Sequence, residues 1–200
     1  MSTCCESLHP GGLDLTARAM ELAALPVGAQ IADVGCGAGA SAAMLREQFG
    51  LTVLGVEPDG GEEMLCGRAD ELPFADGSLD GVLCECVLSI VPDHEAAVRE
   101  FFRVLRPGGV LWVSDLYARA ESDDDGVRTE SALRKEFTDA GFIIEAFEDH
   151  TPELQSMAAK ILWEGGDAAA CTGRDLAALR RLRCGYYLCA ARKGSVNDIE

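Results

Sequence analysis

A strand that runs directly into a glycine-rich turn constrains this chain more than any other feature. Residues 31–39 read Ile-Ala-Asp-Val-Gly-Cys-Gly-Ala-Gly, and a second apolar stretch at 52–57 ends on Glu57. Glycines lack a Cβ, so the backbone turns sharply into the next helix and comes close to a ligand. A carboxylate at the end of the following strand accepts hydrogen bonds from ribose hydroxyls. The pattern therefore predicts an α/β fold that binds a nucleoside cofactor.

The spacing of the glycines and the charge before them favour a methyl donor over a dinucleotide. The dinucleotide fingerprint is Gly-x-Gly-x-x-Gly, with the pyrophosphate at the helix N-terminus. Here Gly35, Gly37 and Gly39 place the third glycine one residue early, and Asp33 stands just before the turn. A fixed carboxylate repels a pyrophosphate but attracts a cation. S-adenosylmethionine, which carries a sulfonium and an ammonium group, is the cofactor that fits.

Length and charge restrict the class of protein and its partners. A chain of 200 residues suits a single domain with a real core. The net charge of −17 would repel nucleic acid and anionic lipid. No apolar run approaches the roughly 18 residues that span a bilayer, and the first residues do not resemble a secretory signal. We therefore expect a cytoplasmic protein that acts on a small molecule, with neither nucleic acid nor membrane as partner; its oligomeric state stays open.

Alternating apolar segments predict a Rossmann-like sheet of seven mostly parallel strands with helices on both faces. The predicted strands lie at 30–34, 52–57, 64–68, 79–84, 110–115, 142–147 and 185–191. The predicted helices lie at 12–25, 40–49, 94–105 and 129–140, with Asp93 as an N-cap. Within one domain, 1–200, these form an N-terminal helix (10–28), a cofactor-binding core (29–148) and a closing strand (185–192).

A long connection, 149–183, separates the sixth strand from the closing strand. Residues 152–163 and 174–183 read as helices, and connections of this length are often functional. One interpretation is a helical lid whose acceptor contacts include Met157, Trp163 and Cys171. The alternative is that these helices only cover an open sheet edge.

Three segments carry a resemblance to a known family. They are the 33–39 turn, the segment Leu-Pro-Phe-Ala-Asp-Gly-Ser-Leu-Asp at 72–80, and Arg-Val-Leu-Arg-Pro-Gly-Gly at 103–109. From about residue 10 to 192 the chain resembles class I S-adenosylmethionine-dependent methyltransferases of the type 11 group. The resemblance implies a donor site formed by Asp33, Gly35, Cys36, Gly37, Gly39, Glu57, Ala69, Cys84 and Glu85.

The resemblance also assigns roles and exposes one departure. Asp33 is expected near the donor's amino group, Glu57 at the ribose hydroxyls, and Glu85 facing methionine and acceptor. Family members place Gly-Asp-Ala before the loop that follows strand three, with that Asp on the adenine amine, and a helix after strand two. This chain has Gly-Arg-Ala at 67–69, and only a few residues (59–63) replace the helix. Arg68 cannot accept a hydrogen bond, which leaves the Ala69 backbone and Asp70 for adenine.

Two residues are candidates for binding or activating the methyl acceptor. The segment 84–93 resembles the corresponding segment of arsenite methyltransferases, so Cys86 is one, because thiolates bind trivalent arsenic. Cys4, Cys5, and Cys171 or Cys184 are further sulfur ligands in that hypothesis. A carbon or oxygen acceptor needs a general base instead, and His9 is the candidate. No metal-ion site is expected.

Three functions therefore stay open. The first is a methyltransferase that acts on a small molecule, and the second is a metalloid or thiol methyltransferase that uses cysteine thiolates. The third is a non-catalytic protein that binds S-adenosylmethionine. In the second function Cys86 would act on the acceptor. The alternative for Cys86 is a purely structural role, in which it packs at the sheet edge.

Overall fold

The protein is built around one seven-stranded sheet. The computed structural model describes residues 9–61, 63–120, 127–164 and 181–194. Its strands are β1 (Gln30–Val34), β2 (Thr52–Glu57), β3 (Met64–Cys66), β4 (Leu79–Glu85), β5 (Leu105–Tyr117), β6 (Phe142–Asp149) and β7 (Gly185–Lys193). Their order is β3-β2-β1-β4-β5-β7-β6. All pairs are parallel except those of β7, which runs antiparallel to β5 and β6.

Within the described ranges, five α-helices cover the two faces of this sheet. They are α1 (Gly12–Leu22), α2 (Ala40–Phe49), α3 (His94–Val104), α4 (Glu130–Asp139) and α5 (Thr151–Trp163). Neighbouring strand residues point to opposite faces, so Val82 packs in a core with α3 and α4 while Leu83 packs in a core with α1, α2 and α5. The predicted α/β fold with helices on both faces is confirmed.

Most predicted elements lie where the sequence puts them. The first two strands and α2 have the predicted bounds. Asp93 is the N-cap of α3, because its carboxylate accepts a hydrogen bond from Ala96 N at 2.9 Å. The helix α1 ends at Leu22 rather than at 25. The chain leaves the helical conformation at Ala23, which has φ −149° and ψ 100°, and Pro26 disfavours helical angles at Leu25.

Two stretches differ from the sequence prediction. The strand β5 begins at Leu105, five residues before the predicted start, because Leu105 already pairs with Leu79. Val110 then pairs with Gly81, so residues 106–109, which include Pro-Gly-Gly, bulge out of the ladder. The strand β3 ends at Cys66 rather than 68. No helix lies between β2 and β3 among the described residues, as the sequence predicted.

The long connection is described in part. The helix α5 corresponds to the predicted helix at 152–163, and Leu154 packs in the core with α1 and α2. Met157 is half-buried and Trp163 is 92% exposed at the end of α5. Most of the predicted helix at 174–183 lies outside the described residues. So do Cys4, Cys5 and Cys171. Among the helices of the described ranges, none has the length and apolarity needed to span a membrane.

Candidate cofactor and acceptor site

The glycine turn lies between β1 and α2, at the carboxyl edge of the sheet. Gly35, Gly37 and Gly39 have φ values of +73°, +52° and +78°. These angles favour glycine because a Cβ would crowd the backbone. The amide of Gly35 donates to Val56 O at 2.8 Å, which ties the turn to β2. Such a loop, between a strand end and a helix N-terminus, is where open α/β sheets bind ligands.

Two of the glycines face different surroundings. A Cβ on Gly35 would lie 2.1 Å from a methyl carbon of Val87, so the neighbouring segment excludes any side chain there. A Cβ on Gly37 would have nothing within 4 Å. Packing therefore explains glycine at 35, whereas Gly37 opens onto free space that a ligand can occupy. The same observation fits a cofactor that approaches the backbone closely.

Asp33 provides a buried carboxylate beside this turn. Its exposed fraction is 2%, and its Oδ2 has no hydrogen-bond partner among the described residues. Burial, followed by the charges of Glu85 and Glu57, raises the pKa of Asp33 to about 8. A buried, unpartnered carboxyl group is costly in a folded protein. Its position and chemistry fit the cationic methionine end of S-adenosylmethionine.

Glu57 and Cys36 flank the turn. Glu57 ends β2, and its Oε1 accepts a hydrogen bond from Gly37 N at 2.5 Å. The carboxylate therefore lies at the glycine turn, as its expected role on the ribose requires. The Cys36 sulfur lies against β2, and a Cβ on Gly55 would be 2.7 Å from it. Burial raises the pKa of the Cys36 thiol to about 11, so Cys36 stays a neutral packing group.

Glu85, at the end of β4, is the centre of a hydrogen-bond network. Its two oxygens accept hydrogen bonds from Thr16 Oγ1 at 2.9 Å and Ser41 Oγ at 2.7 Å. Thr16 lies on α1 and Ser41 on α2, so one carboxylate joins three elements. Sequence reasoning missed both hydroxyls. The available signal was that Thr16 stands between Leu15 and Ala19 on the buried stripe of α1, where a polar side chain needs a partner.

His9 joins the same network. Its Nε2 lies 3.4 Å from Glu85 Oε2 and 3.4 Å from Thr16 Oγ1, while its Nδ1 lies 3.2 Å from Pro10 O. The structure therefore brings His9 to the carboxyl edge of the sheet, beside a predicted donor-site residue. Both ring nitrogens already face partner atoms, so action as a general base requires His9 to turn toward an acceptor.

The two cysteines that flank Glu85 have different environments. Cys84 is fully buried in the core shared with α3 and α4, and burial raises its thiol pKa well above the usual value. Its side chain therefore does not line the site, and only its backbone is available there. Cys86 is half-buried, adopts φ +57°, and places Sγ 3.0 Å from Tyr186 Oη.

A cavity adjoins the turn on the β2 side. It has a volume of about 150 Å³, and its apolar walls include Val34 and Val56 from the sheet and Val87 from the segment after β4. Arg68, Ala69 and Asp70 also line it. The predicted adenine-side residues therefore meet at one cavity. The Arg68 guanidinium binds both oxygens of Asp70, at 2.9 and 3.2 Å.

Comparisons with known proteins agree with this arrangement. Residues 32–113 match the family described as a methyltransferase domain. The methyltransferase GfsG of Streptomyces halstedii is 32% identical over 136 residues, which cover 60% of this chain and 49% of that protein. An arsenite methyltransferase of Aquipseudomonas alcaligenes is 30% identical over 128 residues, covering 51% of this chain and 37% of that protein. The chain thus spans half or less of the length of these relatives.

Solved structures share the fold. The [4+2]-cyclase SpnF has a TM-score of 0.72 at 24% identity, covering 91% of this chain and 80% of that chain. Other solved structures with this fold are methyltransferases in complex with S-adenosylmethionine. The family match runs from within β1 into β5 and includes the glycine turn, where the sequence predicts the cofactor. Residues 32–113 are therefore similar to a methyltransferase domain, and the chain shares its fold with methyltransferases that bind S-adenosylmethionine.

Proposed function

We propose that this protein transfers a methyl group from S-adenosylmethionine to a small molecule that is neutral or cationic. The observation that carries the proposal is the buried Asp33 carboxyl group with its unpartnered Oδ2, next to a glycine turn that leaves space at Gly37. A donor with an ammonium and a sulfonium group would offset the cost of burying the Asp33 carboxylate. A glycine turn that binds no ligand would leave that cost in place.

The charge of the site restricts the acceptor. Asp33, Glu57 and Glu85 end adjacent strands, and the last two raise the pKa of the first through their charges. An anionic acceptor would approach the carboxylates of Glu57 and Glu85 and be repelled. A neutral or cationic acceptor meets no such penalty, and the net charge of −17 acts in the same direction at longer range.

Methyl transfer needs positioning more than acid–base chemistry. When bound, the donor supplies a methyl group activated by its sulfonium. The chain's part is to hold the donor through Asp33 and the glycine turn, and to exclude water at the ends of β1 and β4. The acceptor's lone pair forms the new bond while the bond from carbon to sulfur breaks, and an acceptor proton is lost where one is present.

Calorimetry followed by an acceptor screen tests this function. We expect the protein to bind S-adenosylmethionine and S-adenosylhomocysteine with dissociation constants of about 1 μM to 1 mM, the usual range for enzyme substrates. Mass spectrometry of acceptor mixtures should then show a product one methyl group heavier. Absence of binding to either compound would refute the proposal. Binding without any methylated product, in a broad screen, would favour a non-catalytic binder; the shared fold of a [4+2]-cyclase shows that fold alone does not fix the reaction.

A second candidate function is methylation of a metalloid or thiol, and the geometry of Cys86 supports it. A left-handed conformation is unfavourable for a residue other than glycine, and such strain is often found at functional sites. The Tyr186 hydroxyl donates its hydrogen to Ser114 Oγ at 3.2 Å, so the Cys86 thiol donates to Tyr186 Oη. The thiol becomes a soft ligand after it loses that hydrogen.

Replacement of Cys86 separates the two functions. We expect Cys86→Ser to lose methylation of arsenite or a small thiol, because a hydroxyl is a poor ligand for a soft centre, and to keep donor affinity. Cys66→Ser is the control, since Cys66 is exposed on β3 and its Sγ donates to Pro58 O. The assay is product formation by mass spectrometry with arsenite and with a thiol panel. Full activity of the Cys86→Ser variant on these acceptors would exclude the second candidate.

Among the described residues, no group of three or more His, Cys, Asp or Glu side chains is placed to hold a metal ion.

A further inference from the structure

The segment that follows β4 is attached to β5 through a buried side chain. Cys86 N donates to Ser114 O at 2.8 Å, which extends the backbone ladder of β4 and β5 by one residue before the chain leaves the sheet. Further along the segment, Ser89 N donates to Asp115 Oδ2 at 2.8 Å. The side chain of Asp115 therefore continues the attachment to β5 beyond the end of the backbone ladder.

Asp115 binds this segment through more than one hydrogen bond. The Ser89 hydroxyl also donates to the carboxylate, and the other oxygen, Oδ1, accepts from Leu116 N at 2.7 Å. Asp115 and Ser89 are only 2% and 4% exposed, so solvent has little access to these bonds. Burial raises the pKa of the Asp115 carboxyl group, and the hydrogen bonds from Ser89 and Leu116 oppose that rise. The carboxyl group is thus held in one position by its own strand and by the segment.

The segment's other contacts are less specific in direction. Ile90 N donates to Val87 O at 3.0 Å, a bond that shapes the short 3₁₀ turn Leu88–Ile90 without joining it to the sheet. Leu88 is fully buried in the core shared with α3 and α4, but apolar burial does not fix an orientation. The hydrogen bonds from Ser89 to Asp115 therefore supply the directional contact between this turn and β5.

The same segment forms one wall of the cavity beside the glycine turn. Val87, Ile90, Val91 and Pro92 line that cavity. A Cβ on Gly35 would lie 2.1 Å from a methyl carbon of Val87, so the wall is in close contact with the glycine turn. A shift of the segment relative to β5 would therefore change the shape of the space in which the donor is expected to bind.

We propose that Asp115 is a positioning residue for donor binding: it holds the turn Leu88–Ile90 so that Val87 and Ile90 are in place to contact the donor. Asp115 does not itself line the cavity, so it acts through the segment. Without its hydrogen bonds, only a fraction of the molecules would have the wall in place, and the apparent affinity would fall by that fraction. This inference rests on the proposed function, since it assumes that the donor occupies the glycine turn.

The first test compares two variants by calorimetry with S-adenosylhomocysteine. In Asp115→Asn the amide nitrogen cannot accept a hydrogen bond, so one of the two backbone amides loses its partner and we expect affinity to fall about tenfold. Asp80→Asn is the matched control, since Asp80 is also buried and accepts from Gln30 N at 2.8 Å, at the opposite edge of the sheet. An affinity within about twofold of the unaltered protein's in Asp115→Asn, or an equal loss in both variants, would overturn the inference. If the unaltered protein itself did not bind, the proposed function would fail instead.

The second test separates positioning from general stability. Hydrogen exchange of the unliganded protein, followed by mass spectrometry, should be about tenfold faster at residues 86–91 in Asp115→Asn and unchanged at 110–113 within β5. Ser89→Ala keeps the carboxylate and the amide bond but removes the hydroxyl, so both exchange and affinity should change in the same direction by less. That variant also provides the test if Asp115→Asn does not fold. Unchanged exchange at 86–91, or equal acceleration at 86–91 and 110–113, would overturn the inference.

Discussion

Replacement of Asp33 by asparagine is expected to lower affinity for S-adenosylmethionine about 100-fold at pH 8, as follows from about 2–3 kcal/mol for a hydrogen bond to a charged group. The side chain keeps its shape but loses the charge that compensates the cationic donor. The exposed fraction of Asp33 is 2%, so water cannot replace the lost interaction. Calorimetry with the donor and with S-adenosylhomocysteine measures the effect. An affinity within twofold of that of the unaltered protein would contradict this assignment.

The pH dependence follows from the pKa of Asp33, which is raised to about 8 in the unliganded protein. At pH 7 most of this carboxyl group carries a proton, and a cationic donor favours the ionised form, so binding releases the proton. Affinity should therefore rise with pH from about 6 to 8, by at most about tenfold per pH unit, and level off above pH 8. The difference between the unaltered protein and Asp33→Asn widens over the same interval. Calorimetry in two buffers of different ionisation enthalpy counts the released proton.

As pH rises, the folding stability of the unliganded protein should change in the opposite direction to donor affinity. A carboxyl group with a raised pKa binds its proton more tightly in the folded state, so the protein loses stability as pH rises between the unfolded value near 4 and about 8. Asparagine cannot ionise, so Asp33→Asn should melt higher than the unaltered protein at pH 8 in the absence of donor, by roughly 2–4 °C per kcal/mol recovered. Loss of function with a gain of stability identifies a strained binding group rather than a structural one.

Asp80 is the matched control. It is also a buried carboxylate on a neighbouring strand, but it accepts a hydrogen bond from Gln30 N at 2.8 Å and pairs with Arg106 at the opposite edge of the sheet. Because its partners are in place, Asp80→Asn should lower the unfolding free energy and leave donor affinity unchanged. Weaker donor binding in both variants would indicate a general loss of folding instead.

Local sequence signals predicted the central strands and the glycine turn well. The segments 30–34 and 52–57 are apolar runs bounded by turn residues, and parallel strands buried on both faces have this character. The position of β7 between β5 and β6 was not predictable in the same way. Periodicity identifies a strand but not its neighbours, and the chain reaches β7 through a long connection that carries no pairing information.

The site was predictable only where it is local. Asp33 and the glycines are neighbours in sequence, and their chemistry follows from that spacing. The partners of Glu85 are 69 and 44 positions away, on two helices whose hydroxyls have no distinguishing pattern. Similarly, the left-handed angle of Cys86 follows from packing at the end of β4, because residues other than glycine rarely show a local preference for it. The sequence therefore named single candidate residues on both sides, while only the tertiary structure shows the contacts that join Glu85 to α1 and α2.

The network around Glu85 leads to the second large effect. Glu85 and His9 have side chains only 8% and 9% exposed, and Thr16 is fully buried. Truncation in Glu85→Ala leaves two hydroxyls and an imidazole without their common acceptor, so we expect the free energy of unfolding to fall by about 3–5 kcal/mol. The contact between α1 and β4 should be lost first, and donor affinity should fall with it. Urea denaturation at pH 7 measures the stability.

Two milder variants show whether the stability lost in Glu85→Ala comes from the carboxylate as a whole or from its individual hydrogen bonds. Glu85→Gln keeps one acceptor oxygen for Thr16 or Ser41, so its loss of stability should lie between that of Glu85→Ala and the unaltered protein. Thr16→Val removes a single hydroxyl at nearly constant volume and should cost about 1 kcal/mol. If Glu85→Ala cost no more than Thr16→Val, the carboxylate would not hold α1 to the sheet. The N-terminal segment with His9 would then be anchored by its apolar contacts alone, and His9 would be available to turn toward an acceptor as a general base.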